Sequence, residues 1–487
     1  NVPLAEIFKT PTILGLSSFI TASVKERYIS IEPVEKKEYY DLSFAQRRLY
    51  ILDKTETSID TAYNLPEVML VEGELDIQRF EDTFNKLLKR YDSFRTSFDI
   101  KNGKPVQVIH RNVAFEITYI SAEDQLPISE SLNQTIKNFI RPFDLSKAPL
   151  LRTAVVHLSR REHFLLFDMH HIIADGVSMG ILVRNFVNLY EGNKLPALKL
   201  QYIDFAGWQN KMFKCGQMKK QEEYWLKKFN GDIPVLNMPT DYPRQLEKSF
   251  AGNIVTTEID IPLTDKIKTV ILETGNTLYI VLLTVLNILL SKYTGQDDII
   301  VGCPTAGRNH EDLENIIGMF VNTLAMRNYL RRGMTAGDFL AEVKKNALQA
   351  FENQDYPFEE LVSQLKIVQN HTRNPLFDIL FVSEKLDIPK LELEDLTFTP
   401  YQFEYKISHM DLVFYIKEIE GKIELKLEYA TALFKKPGVA GMLKHYLEIL
   451  EQVIDNVNIK LEEIKISHEF LAPQSNILKE NQDGFGF

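Results

Sequence analysis

The chain of 487 residues carries 56 Lys and Arg against 67 Asp and Glu, a net charge of −11, with 45% hydrophobic and 25% charged residues. This is the composition of a soluble globular protein, too long for one ordinary core and sized for two substantial units. The acidic balance argues against a nucleic-acid binder, which normally carries a basic face. The two cysteines, Cys215 and Cys303, exclude a disulfide framework and a cysteine-based metal site, and point to a reducing, cytoplasmic compartment. From Asn1 to Ile20 no basic leader precedes an uninterrupted apolar run, so no secretory signal is expected. The greasiest stretch, Leu278 to Leu290, is interrupted by Thr284 and Asn287. It falls short of the roughly 20 apolar residues of a bilayer span and reads as a buried core helix, with no membrane partner expected.

In chain order, two short helices are expected at Leu4–Phe8 and Ile13–Ile20, broken at Pro11, followed by a charged stretch over 23–38 that reads as a linker. From Leu42 helix-like and strand-like runs alternate. Phe80, Phe84, Leu87 and Leu88 share one side of an amphipathic helix ending at Tyr91. Val106–His110 and Phe115–Ile120 read as strands, and Leu151–Leu158 with Phe164–Met169 as a hairpin turned through residues 159–162. A helix follows from Val177 to Gly192. The polar stretch Cys215–Glu223 and the run Pro239–Pro243 separate this half from the next. The second half predicts strands at 254–261, 298–301, 377–382, 411–417 and 422–429, with helices at 276–293, 335–352, 357–365 and 436–454. The tail beyond 470 is polar. The fold class is mixed α/β in two lobes, divided as 39–210 and 211–470, with a downstream linker at 471–487.

The segment Asp168-Met169-His170-His171-Ile172-Ile173-Ala174-Asp175-Gly176 carries the chemistry. The two histidines arrive at the end of an apolar strand, and alternation puts His171 on the face of Leu165, Phe167 and Met169 with His170 pointing away. A histidine there can take or hold a proton near neutral pH, and Gly176 lets the backbone approach a substrate closely. On residues alone the string also suits a structural histidine with Asp175 as a helix cap. Metal ligation suits it least, since no third and fourth ligand stands at plausible spacing. No phosphate loop or nucleophile elbow occurs, and Gly302–Gly307 has the wrong residues for a nucleotide cradle.

His170 to Gly176 resembles the HHxxxDG signature of condensation domains in non-ribosomal peptide synthetases and related acyltransferases. Leu42–Leu52 (LSFAQRRLYIL) resembles the family's opening S-x-A-Q-x-R-L motif. Arg90–Phe98 (RYDSFRTSF) resembles R-H-E-x-L-R-T-x-F, with Tyr91 and Asp92 replacing the usual His and Glu. Tyr202–Trp208, Ile317–Arg327, Asn353–Glu359 and Thr372–Asp378 complete the set in family order.

The resemblance implies two lobes similar to chloramphenicol acetyltransferase, set in a V as a pseudo-dimer with a central tunnel and His171 midway along it. It implies no intrinsically bound cofactor. Two carrier domains would each insert a 4′-phosphopantetheine arm, one bringing an acyl or peptidyl thioester and the other an aminoacyl thioester, with an adenylation domain alongside. Residues 1–22 resemble the last helices of an upstream carrier domain, and the chain reads as a fragment of a larger synthetase. His171 would act on the attacking amine, His170 belong to the scaffold, and Gly176 offer its N–H to the oxyanion. Asp175 would form a structural ion pair with an arginine across the lobes, Arg308 before Arg95. The opening motif leans toward an L-configured donor. The rivals are an epimerisation domain, a free-standing acyltransferase using coenzyme A, and a non-catalytic docking or gating domain.

Overall fold

Helix-starting residues and apolar periodicity set most of the local structure. The computed structural model describes residues 6–7, 10, 12–22, 30–55, 61–121, 128–367, 372–383, 390–393 and 395–467. In chain order these are α1 (Ile13–Ala22), β1 (Tyr40–Asp41), α2 (Phe44–Thr55), β2 (Asn64–Gly73), α3 (Ile77–Arg90), β3 (Thr96–Lys101), β4 (Lys104–Ile109), β5 (Ile117–Ser121), α4 (Ile128–Phe139), β6 (Leu151–Ser159), β7 (Glu162–His170) and α5 (Gly176–Tyr190). Then come α6 (Tyr202–Lys214), α7 (Lys219–Lys228), β8 (Gly252–Ile259), α8 (Ile261–Thr274), α9 (Leu278–Thr294), β9 (Asp298–Thr305), β10 (Asn322–Tyr329), α10 (Ala336–Glu352), α11 (Phe358–Gln364), β11 (Ile379–Ser383), β12 (Leu391–Glu392), β13 (Leu396–Pro400), β14 (Leu412–Ile419), β15 (Lys422–Ala430) and α12 (Lys436–Asp455). The expected Leu4–Phe8 helix lies largely outside the described residues, and the tail 471–487 wholly so.

Asp76 caps α3 by accepting from the Arg79 N–H, and the Phe80, Phe84, Leu87, Leu88 stripe is buried. Thr277 caps α9, which ends at Gly295 in the left-handed region (φ 68°). The polar interruptions of α9 are satisfied within the core: Thr284 Oγ1 donates to Ile280 O, and Asn287 Nδ2 to Leu283 O. No single helix among the described residues is long and apolar enough to cross a membrane.

Two mixed six-stranded sheets organise the chain, in orders β12-β13-β2-β7-β6-β5 and β10-β9-β11-β14-β15-β8. The first packs against α3 and α5 around Phe84, Phe167, Leu182 and Phe186; the second packs against α9, α10 and α12 around Leu286, Phe339 and Tyr446. A smaller sheet, β1-β4-β3, completes the architecture.

The division at residue 210 does not hold as a spatial boundary. β13 pairs antiparallel with β2, Leu396 opposite Gly73 and Pro400 opposite Met69, so β12 and β13 belong to the first sheet. Ile317 and Met319 also join the first core, where Ser93 Oγ donates to Ile317 O at 2.6 Å. Gly318 permits that entry, because a Cβ there would stand 1.9 Å from the Tyr202 ring. The polar stretch expected to separate the halves runs into α7, whose Trp225 is buried and donates from Nε1 to Asn353 O at 2.9 Å.

Phe398 is 1% exposed and brings second-half chain into the first core. Phe398→Ala is expected to lower stability by about 3–5 kcal/mol, measured by urea denaturation. A loss below about 1 kcal/mol would mean that the crossing strand contributes little to the first lobe.

Candidate active site at the end of β7

β7 delivers His170 as its last residue, and His171 opens a single 3-10 turn, His171–Ile173, before Asp175 caps α5. The strand's alternation therefore stops one residue short of His171. The expected sharing of a face with Phe167 and Met169 is replaced by placement through the turn. His171 N–H donates to Tyr63 O at 2.8 Å, and His171 Nδ1 lies 2.7 Å from Ala174 O. A carbonyl only accepts, so Nδ1 carries the proton and Nε2 of the neutral ring keeps its lone pair. The side chain is partly exposed.

His170 takes the opposite tautomer. Its Nδ1 accepts from Ile172 N–H at 3.1 Å, and the residue is buried. Burial, reinforced by the neighbouring His171 and Arg152 charges, pushes its pKa down to about 3. Beside it on the strand, Asp168 is pushed up to about 7 by burial, only partly offset by Arg152 and by the Asn64 side chain that donates to it at 2.8 Å.

Asp175 is fully buried and spends its carboxylate on structure. Oδ1 accepts from Ser178 N–H at 2.8 Å and from Arg308 Nη2 at 3.0 Å, with Ser178 Oγ at 2.7 Å; Oδ2 accepts from Phe320 N–H at 3.1 Å. Arg308 also donates to Leu313 O and Ile316 O and lies over the Phe320 ring at 4.0 Å. Gly307 makes this turn possible: its φ is +63°, and a Cβ would stand 1.9 Å from Phe320 O. Arg95, the other candidate partner, is elsewhere, bound to Asp92, Leu88 O and His110 O.

Gly176 is exposed at the first position of α5, where the backbone N–H has no intrahelical acceptor, and a Cβ there would meet nothing within 4 Å. The space before it is open to a ligand. A cavity of about 780 Å³ lies between α2 on one side and 233–236, α11 and 373–378 on the other. Phe44, Ile51, Leu236 and Phe377 supply apolar wall; Arg47, Arg48 and Arg373 stand there paired with Glu360, Glu359 and Asp378, beside Lys248. Tyr63 lines it; His171, bonded to the Tyr63 carbonyl, does not.

Sequence reasoning missed Ser178, Tyr63 and His409. Ser178 stands at the third position of α5, a usual place for a side chain that supports the cap. His409 stacks on Tyr63 at 4.7 Å, and burial, with the Lys248, His171 and Arg48 charges, pushes its pKa down to about 3. Nothing in its local sequence signals that position.

Removing the Asp175 carboxylate leaves Arg308 buried without its anion. Asp175→Ala is expected to lose about 3–5 kcal/mol of stability; an unchanged denaturation midpoint would contradict the structural assignment. A second expectation concerns pH. The unfolded chain protonates His170 below about 6.5, while the folded state resists protonation down to about 3. Stability therefore falls as pH drops through that window. His170→Gln should flatten the slope by up to about 1.4 kcal/mol per pH unit, measured by urea midpoints at several pH values; parallel slopes in both proteins would show the ring to be solvated.

A family model described as Condensation domain matches residues 36–473. Gramicidin S synthase 2 of Brevibacillus brevis is 46% identical over 471 residues, 96% of this chain and 10% of that protein. Tyrocidine synthase 3 of Brevibacillus parabrevis is 45% identical over 486 residues, 100% of this chain and 7% of that protein. The chain thus spans a tenth or less of these curated relatives. Among solved structures, the X-domain from teicoplanin biosynthesis superposes with a TM-score of 0.83 at 23% identity, covering 90% of this chain and 100% of that one. The condensation domain from Monacolin K polyketide synthase MokA superposes with a TM-score of 0.76 at 20% identity, covering 88% and 100%. The motifs, the turn that carries His171 and these matches agree: the chain belongs to the condensation-domain family of non-ribosomal peptide synthetases, whose members are acyltransferases that form peptide bonds.

Proposed function

We propose that this domain joins an upstream carrier-bound acyl or peptidyl thioester to the amine of a downstream carrier-bound aminoacyl thioester, with L-configured donor and acceptor. The observation that carries the reading is the His171 ring, held through Nδ1 by Ala174 O so that Nε2 keeps a lone pair for an incoming proton. The amine nitrogen attacks the thioester carbonyl carbon, and His171 Nε2 accepts the proton released as the C–N bond forms. The C–S bond then breaks, the thiolate takes that proton, and the chain remains on the downstream carrier one residue longer.

An α-amine has a pKa of roughly 8, so a useful fraction is neutral at pH 7 before any base acts. Positioning two tethered reactants supplies about 7–11 kcal/mol, and general-base help about 10²–10⁴-fold. Gly176 N–H, at the positive end of α5, would receive the developing oxyanion. Asp175 and Arg308 hold the turn and take no part in proton transfer; His170 belongs to the scaffold.

The cavity by α2 has the size and mixed lining for one phosphopantetheine arm, its basic side chains near the arm's phosphate. The arms arrive on carrier domains as part of the substrate, with an adenylation domain loading the downstream carrier in the cytoplasm. Residues 1–22 would be the last helices of the upstream carrier: Ile13–Ala22 is apolar, yet none of its residues is buried. Residues 23–38 would link it to lobes assigned to 39–210 and 211–470, the latter lending β12 and β13 to the first sheet.

The test supplies separately loaded donor and acceptor carriers and follows dipeptidyl-carrier formation by intact mass. Wild type is expected to give product, and His171→Ala, at matched stability, to lose two or more orders of magnitude. Equal rates would remove His171 from the chemistry. Loss of α-deuterium from the loaded carrier without product would identify an epimerase.

A further inference from the structure

The turn that carries His171 is held from two sides. Beyond it, Asp175 meets Arg308 and Phe320 of the second half. Before it, His171 N–H donates to Tyr63 O at 2.8 Å, and the residues leading into Tyr63 meet a different part of the second half, the segment 405–409.

That segment is a firm support. Ile407 pairs with Ala251, Gly252 N–H donates to Lys406 O at 2.9 Å, and Ser408 N–H donates to Phe250 O at 2.8 Å. Gly252 is required for this approach, because a Cβ there would stand 2.5 Å from the Ile407 carbonyl carbon. Ser408 is buried, and its hydroxyl donates to Met410 O at 2.8 Å.

From this backbone the His409 ring lies against Tyr63, with centroids 4.7 Å apart and planes 23° from parallel. Phe250 meets the same histidine edge-on at 6.0 Å, and Tyr63 lies 6.5 Å from the His170 ring. Ala62 and Phe250 are buried together, with Tyr63 and Ile407 packed against them. The Tyr405 hydroxyl donates to Thr61 O. Three consecutive first-half residues, Thr61, Ala62 and Tyr63, are thus gripped by the second half. Burial, with the Lys248, His171 and Arg48 charges, disfavours a proton on His409, so it stacks as a neutral plane.

Tyr63 has two duties in that place. It lines the cavity of about 780 Å³, and its carbonyl holds the backbone of His171. The histidine is set by two carbonyls, Tyr63 O on its backbone and Ala174 O on its ring. Asp175 governs the second; the first depends on what fixes Tyr63. A misplacement of about 1 Å can cost about 10²-fold in rate.

We infer that Tyr63 and His409 are a pair of positioning residues: their stack fixes the Tyr63 carbonyl against His171 N–H, so His171 is in place only when the 405–409 segment of the second half is docked. The inference rests on the amide-forming reading above.

Loaded donor and acceptor carriers report the single-turnover rate at saturation and the carrier concentration that gives half of it. His409→Leu fills the space without a flat face, and is expected to slow the rate about tenfold or more at unchanged half-saturation. His409→Phe restores a plane and is expected to recover most of the loss. Tyr63→Leu should lose rate similarly and also raise the half-saturation concentration, because its ring lines the cavity. The double variant should be no slower than the slower single one, since both substitutions remove the same stack. Urea midpoints are read alongside. Losses that multiply in the double variant, equal losses in His409→Leu and His409→Phe, rates that merely track the midpoints, or a His409→Leu rate equal to wild type would each overturn the pairing and leave the amide-forming reading intact. No product from wild type would overturn both.

Discussion

The buried Asp175 carboxylate is the constraint on which the site depends. Its desolvation is offset by two backbone N–H groups, one guanidinium and one hydroxyl, drawn from α5 and from the Arg308–Phe320 segment of the second half. Because these partners lie far apart in sequence, satisfying one side chain fixes the start of α5 against the other half of the molecule. The residue before it, Ala174, is fixed by the same stroke, and its carbonyl sets the His171 ring. Asp175 thus reaches the reactive nitrogen through one backbone step, without contact. The geometry of the turn is what the carboxylate supplies.

Adjacent histidines with opposite tautomers divide two tasks. His170 accepts a backbone N–H and is held neutral by burial, so it completes the turn without adding charge. His171 donates to a backbone carbonyl and keeps its other nitrogen available. The same residue type serves as internal hydrogen-bond acceptor and as proton acceptor, distinguished by which ring nitrogen the backbone engages.

Much of this was legible in the residues. The apolar stripe of α3, the buried apolar run of α9, the β6–β7 hairpin and the motif from His170 to Gly176 are local patterns, and local patterns report on local structure. The family motifs carried the two-lobe expectation and the pairing of Asp175 with Arg308 as its first choice. What the residues did not reveal is non-local: β2 carries Pro66 and Glu67 within an apolar run, β12 and β13 are too short to announce themselves, and α7 is hidden by its polar exterior. The face of His171 was misjudged for a different reason, because strand periodicity was carried one residue beyond the strand.

The pairing of β13 with β2 also has a kinetic side. The edge of the first sheet is complete only when chain more than 300 residues downstream has been made, since Leu396 pairs with Gly73. At about 5–20 residues per second, the β2 edge stays uncovered for roughly 15–60 s of synthesis. An unpaired edge of that kind is a template for foreign strands. During translation the first half is therefore a sheet awaiting its last member, and each nascent chain passes through an interval in which crowding and chaperone supply, more than final stability, govern its yield.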